Sequence, residues 1–361
     1  MNGHLVIADI SGYTRFLTES ELEHANGILE ELLNAIISAI NAPLTLSSIE
    51  GDAVLLYGEM PEGTIGQAVV DSVERLYTAF ASALETMVLN TTCQCNACVN
   101  IKGLGLKIVM HCGEFAVSKM GGRETLTGPD VIVVHRLLKN TIIETTGISD
   151  YLFVTDRCVA DLGIEAIVAG WTPHTEEYEH VGRVSGHVSS LKDVWEFRRS
   201  QTEDKVREGE AWFTVQAHTP APIGVVWDHM LDPVKRTRWI DANDSELIGT
   251  EGGRIGPGTE YHCAHGPNND IAVIAIVDMK VHEYVTQTAP IGPGIGFKWT
   301  DYLVPSGDGA RVISVAAPPF EVDTGLVVPE EGLGFGLDAM SQTYQNQVDR
   351  LASMAAAASS S

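Results

Sequence analysis

The stretch RRSQTEDKVREGE (198–210) has no apolar periodicity, and it separates two halves whose apolar patterns differ. No other feature limits the fold as strongly, because 361 residues are enough for two cores of ordinary size. The expected layout is a first domain at 1–198, a linker at 199–210, a second domain at 211–356 and a disordered tail at 357–361, where the chain thins to alanine and serine.

The first half alternates strand and helix patterns. LVIADI (5–10) reads as a buried strand interrupted only by Asp9. Thr18 and Glu21 have capping-box spacing ahead of a helix to about residue 40, whose Leu22, Ile28, Leu29, Leu32, Leu33, Ile36, Ile37 and Ile40 form one stripe. LTLSSIEGDAVLLYG (44–58) reads as a hairpin turning at Glu50-Gly51-Asp52. A helix at about 64–88, a strand at about 104–118 and a short helix from Pro129 follow, with YLFVT (151–155) and SLKDVWEF (190–197) as later strands. This order predicts an α+β fold: a ferredoxin-like βαββαβ antiparallel sheet with helices on one face.

The second half reads as strand, helix, then short strands between Gly- and Pro-rich turns, and ends in an amphipathic helix. Leu337, Met340, Tyr344, Val348, Leu351 and Met354 share a face of that helix. The expectation is a curved antiparallel sheet wrapped around it.

A net charge of −25 repels a phosphate backbone, so nucleic acid is not an expected partner. A nucleotide bound through cations remains compatible with that charge. No apolar run has the ~20 residues of a membrane helix, so no membrane span is expected. MNGHLVIADI has no basic region before its apolar run, so the expectation is no signal peptide and a cytoplasmic protein.

Asp9 ends the first strand and Asp52 sits at the hairpin tip. If the first strand lies beside the hairpin, the two carboxylates repel unless a cation lies between them, which suits Mg2+ or Mn2+. Alternatively, Asp9 caps a turn and Asp52 is a turn residue. CQCNAC (93–98) brings Cys93, Cys95 and Cys98 within six residues, a spacing that suits a structural Zn2+ with Cys112 or His111 as fourth ligand. Cys112 and His111 are adjacent on a strand, so only one can serve. Free thiols or a redox pair are the alternatives, and Cys158 reads as a small buried hydrophobe.

ADISGYTRFL (8–17), IEGDAVLLYG (49–58), LKIVMHCGEFAV (106–117) and TGPDVIVVHRLL (127–138) resemble, in order and rough spacing, four motifs of class III nucleotidyl cyclases. The three-cysteine insert suggests a divergent branch. The resemblance implies two metal ions on Asp9 and Asp52 with help from the Ile10 carbonyl. It also implies a nucleoside triphosphate partner, Arg136 stabilising charge during ring closure, and a head-to-tail homodimer. The chain departs from the family at Ser48, where a base-reading lysine is usual, and at Ile132, where a transition-state asparagine is usual. Thr125 falls on the partner base-reading position, and Ser185 on a phosphate-binding lysine.

TPAPIGVVWDHMLDPVKRTRWID (219–241), GPGTEYHCAHG (256–266) and the terminal helix resemble the START-like (SRPBCC) superfamily, which implies a helix-grip fold around a hydrophobic cavity. Trp227, Trp239, Tyr261, Phe297 and Trp299 are candidates to line it, or else to pack as plain core. The expected function is thus a divergent cyclase-like protein, with an apolar small molecule or lipid in the second domain regulating the first. The alternative is an inactive cyclase-like dimer serving as a small-molecule sensor or carrier.

Overall fold

Leu5, Val6, Ile7, Ala8 and Ile10 are apolar on both parities of one strand, and all are buried in β1 (Asn2–Ser11). The computed structural model describes residues 1–59, 65–90, 93, 95–121, 123–200, 202–334 and 336–359. Within it the chain divides into two units, Met1–Gln201 and Thr202–Ser361. Its class is α+β, with separate sheets in the two units.

In the first unit the strands are β1, β2 (Thr45–Glu50), β3 (Ala53–Glu59), β4 (Gly105–Glu114), β5 (Ala116–Met120), β6 (Arg123–Thr127), β7 (Tyr151–Thr155), β8 (Thr172–Tyr178) and β9 (Gly182–Ser190). The main sheet has the order β2-β3-β1-β4-β7-β9-β8, and β5-β6 form a separate hairpin. β1 is central and pairs antiparallel with both β3 and β4. Val6, Ala8 and Ile10 face a core shared with helices Leu22–Ser38 and Gly66–Asn90. Leu5 and Ile7 face a second core with Val131, Val134 and Leu137 of helix Pro129–Leu137.

Three expectations for this unit are corrected. Helices cover both faces of the sheet, as a strand apolar on both parities requires, and β4 pairs with β7 in parallel. SLKDVWEF belongs to helix Leu191–Ser200: Leu191 and Trp195 meet the core one turn apart, and Arg198 ion-pairs with buried Glu74 at 2.6 Å. Thr18 closes a short helix, Tyr13–Thr18, by donating to the Thr14 and Arg15 carbonyls, so it makes no capping box with Glu21.

The second unit contains β10 (Phe213–Thr219), β11 (Asp244–Ile248), β12 (Glu260–His265), β13 (Asp270–Lys280), β14 (Tyr284–Gly292), β15 (Ile295–Ser306), β16 (Gly309–Ala316) and β17 (Phe320–Glu321). Their order is β10-β16-β15-β14-β13-β12-β11, with β17 beside β15. Helix Leu337–Ser359 packs on β10 and buries Val348, Leu351, Ala352 and Ala355. The expected tail is helical through Ser359, where consecutive alanines favour the helix; Ser360 and Ser361 lie outside the described residues. Part of the expected linker also packs here, since Val206 is buried and its N–H donates to Thr300 Oγ1 at 2.8 Å.

His4 is fully buried on β1, and burial pushes its imidazole down to about 4 against a weaker opposite pull from the Pro43 carbonyl. The unfolded imidazole titrates near 6.5. Between these values the unfolded chain holds a proton that the folded chain refuses. This group's stabilisation is therefore complete above pH 6.5 and declines toward pH 4, by at most ~1.4 kcal/mol per pH unit. Urea unfolding from pH 7 to 4 should show a shallower decline for His4→Leu than for the unmodified chain; parallel curves would refute the assignment.

Candidate functional site

Asp9 continues the parity of Leu5 and Ile7 to the end of β1, so its carboxylate lies where the second core meets solvent. Its Oδ2 is 2.9 Å from Lys107 Nζ, the residue opposite it on β4. Lys107 Nζ also donates to the Leu138 carbonyl at 3.4 Å, just past helix Pro129–Leu137. Asp52 joins from the β2–β3 turn, where its carbonyl accepts from Ile10 N–H at 3.1 Å. Gly51 makes that turn with φ +71°, which glycine adopts without strain. Burial, followed by the charge on Asp9, raises the Asp52 carboxyl above its ordinary value; Lys107 pulls the other way more weakly. Asp9 and Asp52 each offer carboxylate oxygens, the hard donor type that Mg2+ and Mn2+ take.

The same corner contains the last turn of helix Pro129–Leu137, with His135 Nδ1 3.6 Å from Glu50 Oε2 and Arg136 exposed beside it. Ser48 Oγ donates to Glu50 Oε1 at 3.1 Å. Thr125 is half-buried on β6 opposite Ser118. Ile132 is 59% exposed and offers no side-chain donor. Ser185 is not in this group: it lies on β9, where it pairs with Thr175 of β8, and β4 and β7 lie between β9 and β1.

The expected fourth zinc ligand is corrected. Cys112 is fully buried and disulfide-bonded to Cys158, which is buried in the core as expected. His111, on the opposite face of β4, is held between Thr155 Oγ1 at 2.9 Å and Asp130 Oδ1 at 3.1 Å. Burial lowers its pKa despite Asp130. Asp130 also accepts from Glu114 N–H at 2.7 Å and from Arg157 Nη1. Gly113 permits that approach, because a Cβ there would lie 2.2 Å from Asp130 Cγ.

The residue that does meet the cysteines is His24. Its Nδ1 is 3.1 Å from Cys95 Sγ and 3.9 Å from Cys93 Sγ. Helix Leu22–Ser38 presents His24 in its first turn, and a separation of 69 residues from Cys93 left no spacing signal in the sequence. Hydrogen bonding by the Cys95 amide lowers the Cys93 pKa. The Cys98 amide also favours a Cys95 thiolate, but desolvation and the neighbouring thiols prevail and push Cys95 up to about 11.

In the second unit a cavity of about 160 Å³ lies under helix Leu337–Ser359. Trp239 and Trp299 line it, together with Ile274, Tyr344, Arg236 and Asp301. Trp227 packs instead against His282, Tyr261 donates to the Leu231 carbonyl, and Phe297 lies among Phe213, Trp299 and Tyr344. Arg236 is 2% exposed, stacks on Trp239 and Tyr261, and donates to Gln287 Oε1 at 2.6 Å. Its Nε has no hydrogen-bond partner among the described residues. Gln287 and Trp299 both donate to Asp301, whose carboxyl is raised by burial. Arg236 and Asp301 were not singled out from the sequence: Arg236 is one of three basic residues on a short polar helix, and only Asp301 interrupts a core-patterned strand.

A family model described as a protein of unknown function (DUF2652) matches residues 29–146. The uncharacterized protein Rv2561/Rv2562 of Mycobacterium tuberculosis is 33% identical over 163 residues, covering 45% of this chain and 73% of that protein. Among solved structures, the guanylyl cyclase Cya2 is 15% identical with a TM-score of 0.41, covering 53% of this chain and 92% of its own. The adenylyl cyclase CyaB from P. aeruginosa is 15% identical with a TM-score of 0.38, covering 52% of this chain and 95% of its own. Protein CV1439 from Chromobacterium violaceum is 15% identical with a TM-score of 0.31, covering 40% of this chain and 96% of its own. At such scores, any functional reading rests on the residues themselves.

The Asp9–Asp52 proximity can be tested by titration. Carboxyl carbon NMR should show the Asp52 pKa falling in Asp9→Asn and rising in Lys107→Met. An Asp52 value indifferent to both would mean that the three groups are not neighbours in solution.

Proposed function

We propose a function for a chain that belongs to the same family as the mycobacterial protein Rv2561/Rv2562: its first unit is a cyclase-like domain that binds a nucleoside triphosphate, and its second unit holds a small ligand that regulates the first. The observation that carries this reading is the nearness of Asp52 to Asp9, its neighbour Ile10 being hydrogen-bonded to the Asp52 carbonyl, with the Asp52 pKa raised by burial and by Asp9. A Mg2+ or Mn2+ ion on these oxygens, with the Ile10 carbonyl, would supply the positive charge that a triphosphate needs. Arg136, exposed on the adjacent turn, would meet the phosphates of a nucleotide bound across a head-to-tail homodimer. Ser48 and Thr125 would lie toward the base. The reaction served is attack of the ribose 3′-hydroxyl on the α-phosphorus, forming the cyclic ester and expelling pyrophosphate.

A second reading, a domain that binds nucleotide without turning it over, is favoured by two features. Ile132 offers no hydrogen-bond donor, and Ser48 is engaged with Glu50. Loss of one transition-state donor costs roughly 10²–10³ in rate. Melting in the presence of Mn2+ with ATP, GTP, CTP or UTP, followed by mass spectrometry, separates the readings. A rise in Tm abolished by Asp9→Ala, together with cyclic nucleotide, supports the enzyme. A rise without product selects the receptor, and neither shift nor product overturns the nucleotide reading.

For the second unit, about 160 Å³ is below the ~300–1,000 Å³ of drug-sized sites and near the ~150 Å³ of a cavity that takes up benzene. The proposed ligand is therefore ring-sized rather than lipid, with an acceptor group for the Arg236 Nε. Benzoate should quench the fluorescence of Trp239 and Trp299 at lower concentration than benzene, and Arg236→Met should reverse that order. Equal response to both probes would refute an Arg236 contact.

A further inference from the structure

We infer that His24, Cys93, Cys95 and Cys98 form a closed structural zinc site that fastens the start of helix Leu22–Ser38 to the segment following helix Gly66–Asn90. The four donor atoms lie within 4.8 Å of one another. A tetrahedron with the usual Zn–S and Zn–N bond lengths has edges of about 3.5–3.8 Å. The separations from His24 Nδ1, 3.1 Å to Cys95 and 3.9 Å to Cys93, bracket that range. All three cysteines are free thiols, so no disulfide competes for their sulfurs.

The surroundings support a built site rather than a chance gathering on a loop. Cys95 caps helix Asn96–Asn100, and its sulfur accepts the Cys98 N–H at 3.5 Å. The Glu21 carboxylate accepts from Ala97 N–H at 3.1 Å and from Asn96 Nδ2 at 3.2 Å, which ties the cysteine turn to the residue preceding the histidine's helix. Ala97 and Ile101 are buried in the core that the two long helices share, so the turn has a fixed seat. Glu21 thus holds the loop from outside the ligand set, as residues around a metal site commonly do.

Three thiolates and one imidazole are soft and borderline donors, which favour Zn2+ over Mg2+ or Ca2+. Four protein ligands leave no position for substrate, so the ion has a structural part and acts independently of the Asp9 corner. Zinc would hold together two helices that are 28 residues apart at their nearest ends, Ser38 and Gly66. Removal of the ion is expected to loosen the first unit while leaving the second intact.

The full-length chain, purified without chelator, should contain about one zinc per chain by elemental analysis. After metal removal, Co2+ titration should produce the intense visible bands of a tetrahedral thiolate site. His24→Ala should weaken Co2+ binding at least tenfold, and His24→Cys should restore tetrahedral cobalt with a shifted charge-transfer band. Cys112→Ser should keep the full zinc content. Zinc near zero together with no tetrahedral cobalt spectrum would overturn the site. Metal lost in Cys112→Ser but kept in His24→Ala would overturn the ligand assignment.

Discussion

Burial of β1 on both faces is the constraint from which the first unit follows. A strand with Val6, Ala8 and Ile10 on one side and Leu5 and Ile7 on the other cannot lie at a surface. It must have neighbours at both edges and a layer on each face. β3 and β4 supply the edges, two long helices supply one layer, and helix Pro129–Leu137 supplies the other. The one carboxylate in that stretch, Asp9, is tolerated because it falls at the strand end, where Lys107 meets it.

That placement gives the corner its chemistry. Strand pairing delivers Asp52 and Lys107 to Asp9 from either side, and the turn bearing Arg136 arrives over the second face. Its charges come from four separate elements, so one core registers them all. The cysteine turn is assembled differently, by a helix start and a loop held together through Glu21. In the second unit, Arg236, Gln287 and Asp301 form a buried polar network at one wall of the cavity. Burial there makes every unmet hydrogen bond costly, and the Arg236 Nε has no partner among the described residues.

Much of this was legible in the sequence. β1 is a continuous apolar run, the Gly51 hairpin a turn signature, and helix Pro129–Leu137 and the terminal helix are local helical patterns, and each appears where its pattern lies. The carboxylates Asp9 and Asp52 could be singled out because each breaks an apolar pattern. Leu191–Ser200 was misread because its apolar residues at 191, 194, 195 and 197 suit a short strand as well as a helix; the ion pair of Arg198 with Glu74, 124 residues away, favours the helix. His24 left no signal, since a histidine in the first turn of an amphipathic helix resembles any exposed polar residue.

The sequence by itself determined most of the strands and helices, though not helix Leu191–Ser200, and which side chains carry ionisable or thiol chemistry. These follow from local periodicity and residue type. Only the tertiary structure decided the partners: Lys107 for Asp9, His24 for the cysteines, Cys158 for Cys112, and Arg236 with Asp301 inside the cavity. Those pairings depend on strand order and helix packing, which bring together residues from 46 to 74 positions apart in the case of the cysteines. No local pattern encodes separations of that length.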